Sequence, residues 1–256
     1  MRLLVTGRQR SGTTITRRIL NSHPDICLTN ELLLYDFFGG YGKFKSFRKW
    51  VKKRFDKTYK QERYAFPFDM YASSFKRQYK ETLGSNTSLS AKITSAEICI
   101  FQKKYKIFGD KGGLGAISAL QEARLPFKVL YLIRDGRDSV ASSISRNKGK
   151  KDNASWKTSD HFESSLYWAN AIKKWFELKA LLNKDDYEEI QFEQFVKNPG
   201  ETLGKIANFL EVENRFDRHI FDNSEAHIGR YKTQIPDWRD TFSKEAIEVL
   251  KELKYI

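Results

Sequence analysis

The chain has few cysteines, few prolines and no long hydrophobic run, and each shortage excludes a class of protein. Its 256 residues include five prolines and two cysteines, Cys27 and Cys99. Two cysteines are too few for a disulfide framework and are not spaced like a metal site, so we expect buried thiols. No window approaches the roughly eighteen apolar residues of a transmembrane helix, and the run Leu3–Val5 is too short for a signal peptide. These absences predict a cytoplasmic protein.

Basic residues outnumber acidic ones, and the excess is concentrated in one segment. The chain contains 46 Lys and Arg against 32 Asp and Glu, which gives a net charge of +14. The segment Lys43–Arg63 holds ten Lys and Arg against Asp56 and Glu62, a net +8. This basic protein should therefore attract polyanions: nucleic acid, an anionic membrane, an acidic glycan or a phosphorylated cofactor.

Strand-like and helix-like segments alternate along the chain. Hydrophobic runs predict short buried strands at Leu3–Thr6, Ile26–Leu28, Lys106–Gly109, Phe127–Ile133 and Tyr187–Phe192. Helical periodicity predicts helices after Thr14 and at Phe44–Phe55, Met70–Leu83, Gly115–Ala123, Asp138–Ser145, His161–Leu182, Gly200–Leu210 and Lys244–Leu253. Such alternation indicates an α/β fold with a P-loop-like parallel sheet flanked by helices on both faces. We expect a single domain over residues 1–256.

A glycine-bounded loop joins the first predicted strand to the first predicted helix. It reads Gly7-Arg8-Gln9-Arg10-Ser11-Gly12-Thr13-Thr14. Glycines let the backbone approach an anion closely, and a helix N-terminus adds free N–H groups. The spacing resembles a Walker A loop, but Thr13 stands where that loop has its lysine, which argues against an ATPase or GTPase. Arg10 is expected to supply the cation instead.

A second motif, Arg134-Asp135-Gly136-Arg137-Asp138, follows the strand Phe127–Ile133. Open α/β sheets bind ligands at the carboxyl ends of their strands, where Arg134 is predicted to lie. Ser142 and Arg146 follow on the next helix. The two motifs together resemble the sulfotransferases. Their 5′-phosphosulfate loop commonly reads P-[RK]-S-G-T-T, and their 3′-phosphate motif pairs a strand-end Arg with a Ser eight residues later. The likeness is closest to the tyrosylprotein sulfotransferases.

This resemblance implies a donor, an acceptor class and a set of binding residues. The donor would be 3′-phosphoadenosine-5′-phosphosulfate and the product 3′,5′-adenosine bisphosphate, with no metal. The acceptor would be a hydroxyl of a carbohydrate, a tyrosine or another phenol. Ile190–Pro199 is similar to the family's R-Y-E-D-L-V-x-x-P segment, with Phe192 where many members have Tyr. His227–Lys232 resembles a G-R-[WY] segment that often closes over the nucleotide. The predicted nucleotide-binding residues are Arg10, Ser11, Gly12, Thr13, Thr14, Arg134, Ser142, Arg146, Phe192 and Arg230.

Sulfuryl transfer needs a base for the acceptor hydroxyl and cations for the leaving phosphate. Glu31 is the predicted base, because it follows the second strand and tyrosylprotein sulfotransferases use a Glu at a similar distance from their loop. The alternative role for Glu31 is the first turn of a helix. His161 is the rival base, since cytosolic sulfotransferases use a His, although its position also fits a helix N-cap region. Arg10 and Lys111 are the predicted catalytic cations, Lys111 standing where tyrosylprotein sulfotransferases have a Lys near the bridging oxygen.

Residues 36–105 lack likeness to the family and are expected to form a helical, acceptor-binding insertion. Within them, the basic segment is interleaved with Phe44, Phe47, Trp50, Phe55 and Tyr59. We expect these aromatics to pack as a buried stripe and the charge to attract an acidic glycan or peptide. No nucleic-acid partner is expected, and the acceptor and the oligomeric state stay open. A nucleotide kinase and a non-catalytic polyanion binder are the other functions that the sequence leaves open.

Overall fold

A computed structural model of the chain describes residues 1–40, 46–55, 72–147, 160–221 and 224–256. The strands are β1 (Arg2–Gly7), β2 (Ile26–Asn30), β3 (Ile107–Lys111), β4 (Phe127–Ile133) and β5 (Tyr187–Gln191). The α-helices of these residues are α1 (Thr13–Leu20), α2 (Leu34–Phe38), α3 (Phe47–Trp50), α4 (Ala72–Leu83), α5 (Leu89–Phe101), α6 (Gly115–Glu122), α7 (Gly136–Asn147), α8 (His161–Lys179), α9 (Phe192–Lys197), α10 (Pro199–Leu210), α11 (Tyr231–Gln234), α12 (Trp238–Thr241) and α13 (Lys244–Glu252). A π-helical turn, Val51–Phe55, follows α3 directly.

The strands form one five-stranded sheet in the order β2-β3-β1-β4-β5. β3 pairs in parallel with both β1 and β2, and Leu3 lies opposite Gly109 in this register. A Cβ atom on Gly109 would lie 1.9 Å from the Leu3 carbonyl oxygen, so only glycine allows this close approach of backbones. The parallel sheet with alternating helices confirms the predicted α/β fold class.

The contacts of the chain group into two compact units. The first unit comprises Met1–Thr6, Thr14–Leu130 and Val212–Asp217. An aromatic cluster packs within it, made of Phe37, Phe38, Phe47, Trp50, Phe75 and Tyr79. Trp50 is fully buried, and its indole Nε1 donates to the Leu32 carbonyl oxygen at 2.8 Å. Of the interleaved aromatics, Phe47 and Trp50 therefore pack as predicted. Phe44 and Tyr59, like much of the basic segment, lie outside the described residues.

Cys27 and Cys99 are thiols buried in the first unit, as the sequence predicts. Burial raises the pKa of Cys27 to about 12. The thiol of Cys27 therefore stays protonated at neutral pH, which makes it a packing group rather than a nucleophile.

The second unit comprises Gly7–Thr13, Tyr131–Glu211 and Arg218–Ile256. The ring of Tyr131 stacks on Trp175 of α8, with centroids 4.2 Å apart. Arg137, in the first turn of α7, forms an ion pair with Asp135 at 2.7 Å, and its guanidinium lies 4.1 Å from the centroid of the Tyr231 ring. Half of the charged motif Arg134–Asp138 is thus structural, because Asp135 and Arg137 neutralise each other in the interior.

Most of the predicted strands and helices lie within two or three residues of the observed ones, but several elements of the described residues differ. The helices α2, α5, α9, α11 and α12 are not predicted from the sequence; in α5 the mixture of Ser, Thr, Ile and Cys has no amphipathic period. Phe192, which the sequence places at the end of a strand, is the first residue of α9. No helix of the described residues is long and apolar enough to cross a membrane.

Candidate active site

The loop between β1 and α1 is shaped by two glycines whose conformations other residues rarely adopt. Gly7 has φ +152° and Gly12 has φ +96°. A Cβ atom on Gly7 would lie 2.5 Å from the Leu132 carbonyl oxygen, and one on Gly12 would lie 2.4 Å from Cδ2 of Phe192. Both positions therefore require glycine for backbone conformation and for space. Ser11, between them, is buried, and its hydroxyl has no hydrogen-bond partner among the described residues.

Arg134 directly follows β4, as predicted, and main-chain oxygens hold its guanidinium. Nη1 donates to the carbonyl oxygen of Arg10 at 2.9 Å, and Nη2 donates to that of His227. The guanidinium also lies over the ring of Phe192, 4.8 Å from the centroid. Arg134 is only 6% exposed, and its Nε has no partner among the residues that the structure describes. The residue is thus a buried cation in a fixed orientation with one N–H group unpaired.

Arg10, Arg134 and Arg146 form an arginine cluster in the second unit. Nε of Arg10 donates to the Ser142 hydroxyl oxygen at 2.9 Å. Partial burial and the positive charges of Arg146 and Arg134 lower the pKa of Arg10. The ion pairs within the described part of the chain include neither Arg10 nor Arg146. The cluster therefore carries an excess of positive charge that a bound anion would neutralise.

Asp138, near the start of α7, forms hydrogen bonds with the segment that contains Arg230. Its carboxylate accepts hydrogen bonds from Gly229 N at 2.7 Å and from Tyr231 N at 3.0 Å. The pKa of His227 is lowered by partial burial and by the positive charges of Arg230, Arg134 and Arg10. The structure therefore brings Arg230 to the same electropositive region as Ser142 and the arginine cluster.

Phe192 and Thr13 complete the predicted binding residues of this unit. Phe192 is 4% exposed, and its ring packs against Gly12 and lies 4.8 Å from the Arg134 guanidinium. A phenyl ring there supports the loop and the arginine through packing and cation–π contact rather than through a hydroxyl group. Thr13 is the first residue of α1, where backbone N–H groups have no helical acceptor.

In the first unit, the predicted base and the predicted lysine form an ion pair. Lys111 ends β3, and Glu31 follows the last residue of β2. The Lys111 Nζ donates to Glu31 Oε1 at 2.7 Å and to the Thr14 hydroxyl oxygen at 3.4 Å. The Glu31 backbone N–H donates to the Lys111 carbonyl oxygen at 2.8 Å. The Lys111 side chain is 8% exposed and that of Glu31 is 52% exposed, so a buried ammonium meets a carboxylate that solvent or a substrate can reach.

Three residues near these groups are not predicted from the sequence: Asp138, Asp110 and Arg54. Arg54 belongs to the π-helical turn after α3, and its Nη1 lies 3.7 Å from Glu31 Oε2. Asp110 precedes Lys111 on β3 and is buried. Asp110 directly precedes the predicted cation Lys111, and Asp138 follows the predicted cation Arg134 by four residues. An acidic residue so close in sequence to a predicted cation is a pattern from which both could be predicted. Arg54 has no such signal, because it lies within a run of basic residues.

His161, the rival base, is the first residue of α8, and its neighbour Asp160 caps that helix by accepting from Glu163 N at 2.7 Å. Within the described part of the second unit, no hydrogen bond joins His161 to the arginine cluster. His161 is therefore the residue directly after the N-cap, in the N-cap region that the sequence predicts as the alternative to a catalytic role.

A parallel α/β sheet, a glycine-bounded loop before a helix and a strand-end arginine among other arginines define a class of proteins that bind phosphorylated nucleotides. The family model described as "Sulfotransferase family" matches residues 3–218. The chain therefore belongs to the sulfotransferase family. This membership removes the nucleotide kinase from the open alternatives.

Curated relatives and solved structures agree with this family. A protein-tyrosine sulfotransferase of Drosophila melanogaster is 25% identical over 211 residues, which are 82% of this chain and 38% of the fly protein. A putative protein-tyrosine sulfotransferase of Caenorhabditis briggsae is 24% identical over 267 aligned positions, covering 98% of this chain and 85% of the relative. The chain thus spans little more than a third of the fly protein.

Two solved sulfotransferase domains have the same fold. The domain from the curacin biosynthetic pathway superposes with a TM-score of 0.67 at 17% identity, covering 99% of this chain and 97% of that one. The domain from the olefin synthase of Synechococcus PCC 7002 gives 0.66 at 15% identity, covering 99% and 94%.

Proposed function

We propose that this sulfotransferase moves a sulfuryl group from 3′-phosphoadenosine-5′-phosphosulfate to an acceptor hydroxyl. The observation that carries the proposal is the arginine cluster, in which Arg134 is fixed by the carbonyl oxygens of Arg10 and His227. An adenosine nucleotide with a separate 3′-phosphate offers a compact dianion that suits a planar guanidinium. Neither ATP nor GTP carries that group.

The residues form two groups, one that binds the 3′-phosphate of the donor and one that binds its 5′-phosphosulfate. Arg134, Ser142 and Arg146 bind the 3′-phosphate, and Arg230 covers the nucleotide from its own segment. The loop residues Ser11 to Thr14 donate backbone and hydroxyl groups to the 5′-phosphosulfate, with Arg10 as the cation of that loop. Two buried donors, the Ser11 hydroxyl and the Arg134 Nε, have no hydrogen-bond partner among the described residues. They fit this ligand because its phosphate and sulfate oxygens can accept their hydrogen bonds.

Transfer proceeds by in-line displacement at sulfur. The acceptor oxygen forms a bond to sulfur while the bond from sulfur to the bridging oxygen of the 5′-phosphate breaks. Glu31 accepts the proton of the acceptor hydroxyl through its exposed carboxylate. Lys111 and Arg10 neutralise the charge that develops on the bridging oxygen and the leaving bisphosphate. Lys111 already contacts Thr14, the last residue of the loop, at 3.4 Å.

The acceptor class is proposed to be a phenolic hydroxyl, such as that of tyrosine. Two curated relatives are named for protein tyrosine, at 25% and 24% identity. A carbohydrate hydroxyl is the alternative, because the transfer chemistry is the same for both acceptors.

Calorimetric binding of 3′,5′-adenosine bisphosphate tests the donor site, with magnesium ATP as the competing ligand. We expect micromolar affinity that Arg134→Ala lowers by about 100-fold, because two charge-assisted hydrogen bonds are lost (about 3 kcal/mol). Arg137→Ala is the matched control, since it removes a guanidinium of equal burial that pairs with Asp135 instead. Tight binding of magnesium ATP, or equal affinities for wild type and Arg134→Ala, would refute the donor assignment.

Turnover with three probe acceptors tests the reaction and the acceptor class. The probes are p-nitrophenol, a tyrosine peptide and an N-acetylglucosamine oligosaccharide, and the readout is release of the bisphosphate. Glu31→Gln should lower kcat by about 100-fold or more while it leaves bisphosphate affinity unchanged. Sulfation of the oligosaccharide alone would overturn the phenolic acceptor, and full activity of Glu31→Gln would overturn the base.

A further inference from the structure

Asp110 is a buried carboxylate that the transfer chemistry above does not use. It is 2% exposed and occupies the position on β3 directly before Lys111. Its Oδ1 accepts from the Thr29 hydroxyl at 2.7 Å and from Leu32 N at 3.2 Å. Its Oδ2 accepts from Leu33 N at 2.6 Å. Three donors from the chain around the end of β2 therefore converge on one side chain.

The turn that these donors belong to has an unusual backbone. Glu31 has φ +54° and Leu33 has φ +56°, which is the left-handed region for two residues that have side chains. Each such residue costs about 1 kcal/mol or more, so the conformation persists only when the surroundings hold it. The two bonds to Leu32 N and Leu33 N supply that restraint, and the Glu31 N–H adds one to the Lys111 carbonyl oxygen.

The restraint of the turn by Asp110 also sets the geometry of the ion pair between Glu31 and Lys111. Asp110 and Lys111 are consecutive in β3, so their side chains leave the strand on opposite sides and their backbones are rigidly joined. One of them fixes the turn on which Glu31 lies, and the other contacts the Glu31 carboxylate at 2.7 Å. The position of Glu31 relative to Lys111 thus depends on the bonds that Asp110 accepts.

The burial of Asp110 shows that the arrangement is maintained against an energetic penalty. Burial raises the pKa of Asp110 to about 7 despite its donors, and the negative charge of Asp36 acts in the same direction. An amide side chain at this position would avoid the penalty, but its NH₂ group would face backbone N–H donors. A carboxylate is the side chain that accepts at both oxygens.

We propose that Asp110 is a positioning residue for sulfuryl transfer: it holds the turn that carries Glu31 and thereby keeps the base at Lys111. This inference rests on the proposed function for its catalytic consequence. Its structural part, the restraint of the turn, stands on the described contacts and is measurable without any activity.

The test compares Asp110→Asn with Glu97→Gln in the full chain. Glu97 is the matched control because it is a buried carboxylate of the same unit, 3% exposed, and accepts from Arg2 and Tyr35 rather than from the turn. Amide hydrogen exchange at Leu32 and Leu33 measures how firmly the turn is held, and thermal unfolding measures overall stability. Bisphosphate affinity measures donor binding, and steady-state kinetics with p-nitrophenol measure the rate of transfer.

We expect Asp110→Asn to accelerate exchange at Leu32 and Leu33 by about tenfold, since each amide loses a charged acceptor. The kcat should fall by about tenfold while KM for the donor and bisphosphate affinity stay within about twofold. Glu97→Gln should leave exchange at the turn and kcat unchanged. In a Glu31→Gln background, Asp110→Asn should lower kcat no further, because the group that it positions is absent.

Thr29→Val provides a second variant that retains the carboxylate and removes one donor to it. We expect it to lower kcat by about threefold with donor KM unchanged. Unchanged exchange at Leu32 and Leu33 in Asp110→Asn, or a kcat loss no larger than that of Glu97→Gln, would overturn the positioning role. Failure of the wild type to bind the bisphosphate would instead refute the proposed function, and the exchange measurement would still decide whether Asp110 holds the turn.

Discussion

Gly12→Ala should destabilise the protein through two separable effects at the loop between β1 and α1. The first is backbone strain, because φ +96° is a conformation that residues with a Cβ atom rarely adopt; this costs about 2 kcal/mol. The second is steric, because the new Cβ would lie 2.4 Å and 2.7 Å from two ring carbons of Phe192. Overpacking of a buried ring adds about 2 kcal/mol. The expected total is about 4 kcal/mol.

Chemical unfolding in urea, followed by circular dichroism, measures this loss. A double-mutant cycle with Phe192→Val separates the two effects, because valine lacks the ring carbons that the new Cβ would meet. The coupling energy should be about 2 kcal/mol, which is the steric part, and the remaining loss in the double mutant should be the backbone part.

Two results would refute this reasoning. A Gly12→Ala protein within about 1 kcal/mol of wild type would show that the loop does not need glycine in the folded state. A coupling energy near zero would show that Phe192 does not pack against the loop as the structure has it. Gly84→Ala is the control, because Gly84 also has positive φ (+56°) but no atom of the described residues lies within 4 Å of a Cβ there, so it should show a backbone cost with no steric cost.

Two further predictions concern buried carboxylates of the two units. Burial raises the pKa of Asp36 to about 6. The stability that the protonated Asp36 side chain contributes is therefore present below about pH 4 and is lost as pH rises through 6. In urea unfolding, Asp36→Asn should be about 3 kcal/mol more stable than wild type at pH 8 and equal to it at pH 4. Asp138→Asn should lose about 2 kcal/mol and expose the amides of Gly229 and Tyr231 to faster hydrogen exchange, because the carboxylate accepts from both. A pH-independent difference for Asp36→Asn, or unchanged protection of the two amides, would contradict these expectations.

Much of the site can be predicted from the sequence because its parts lie at strand-to-helix junctions. Gly7 ends a strand, and Gly12 and Arg134 follow strands, whose hydrophobic runs are recognisable, so their place at the carboxyl ends of these strands follows from the parallel topology. The approach of Glu31 to Lys111, 80 residues away in the chain, follows from the same topology because both residues stand at ends of neighbouring strands. Resemblance to known sulfotransferases adds the roles of these residues.

The remainder of the site depends on tertiary contacts that have no local pattern. Asp138 accepts from Gly229 and Tyr231, which follow it by more than 90 residues with no periodicity between them. The sequence predicts a strand that includes Phe192, whereas in the structure the strand ends at Gln191 and the Phe192 ring packs against Gly12. The assignment of residues 1–256 to one domain, and the roles of the individual site residues, stay predictions.

The bonds from Arg134 to two main-chain oxygens have a consequence for how this site tolerates sequence change. A carbonyl oxygen is present whatever side chain its residue has, so replacement of the side chains at positions 10 and 227 leaves both acceptors in place. Two of the contacts that orient Arg134 are therefore encoded in the path of the backbone, whereas its cation–π contact and its ion pair depend on the side chains of Phe192 and Asp138. Both bonds can therefore persist while the side chains at positions 10 and 227 differ, provided that the glycines preserve the shape of the loop.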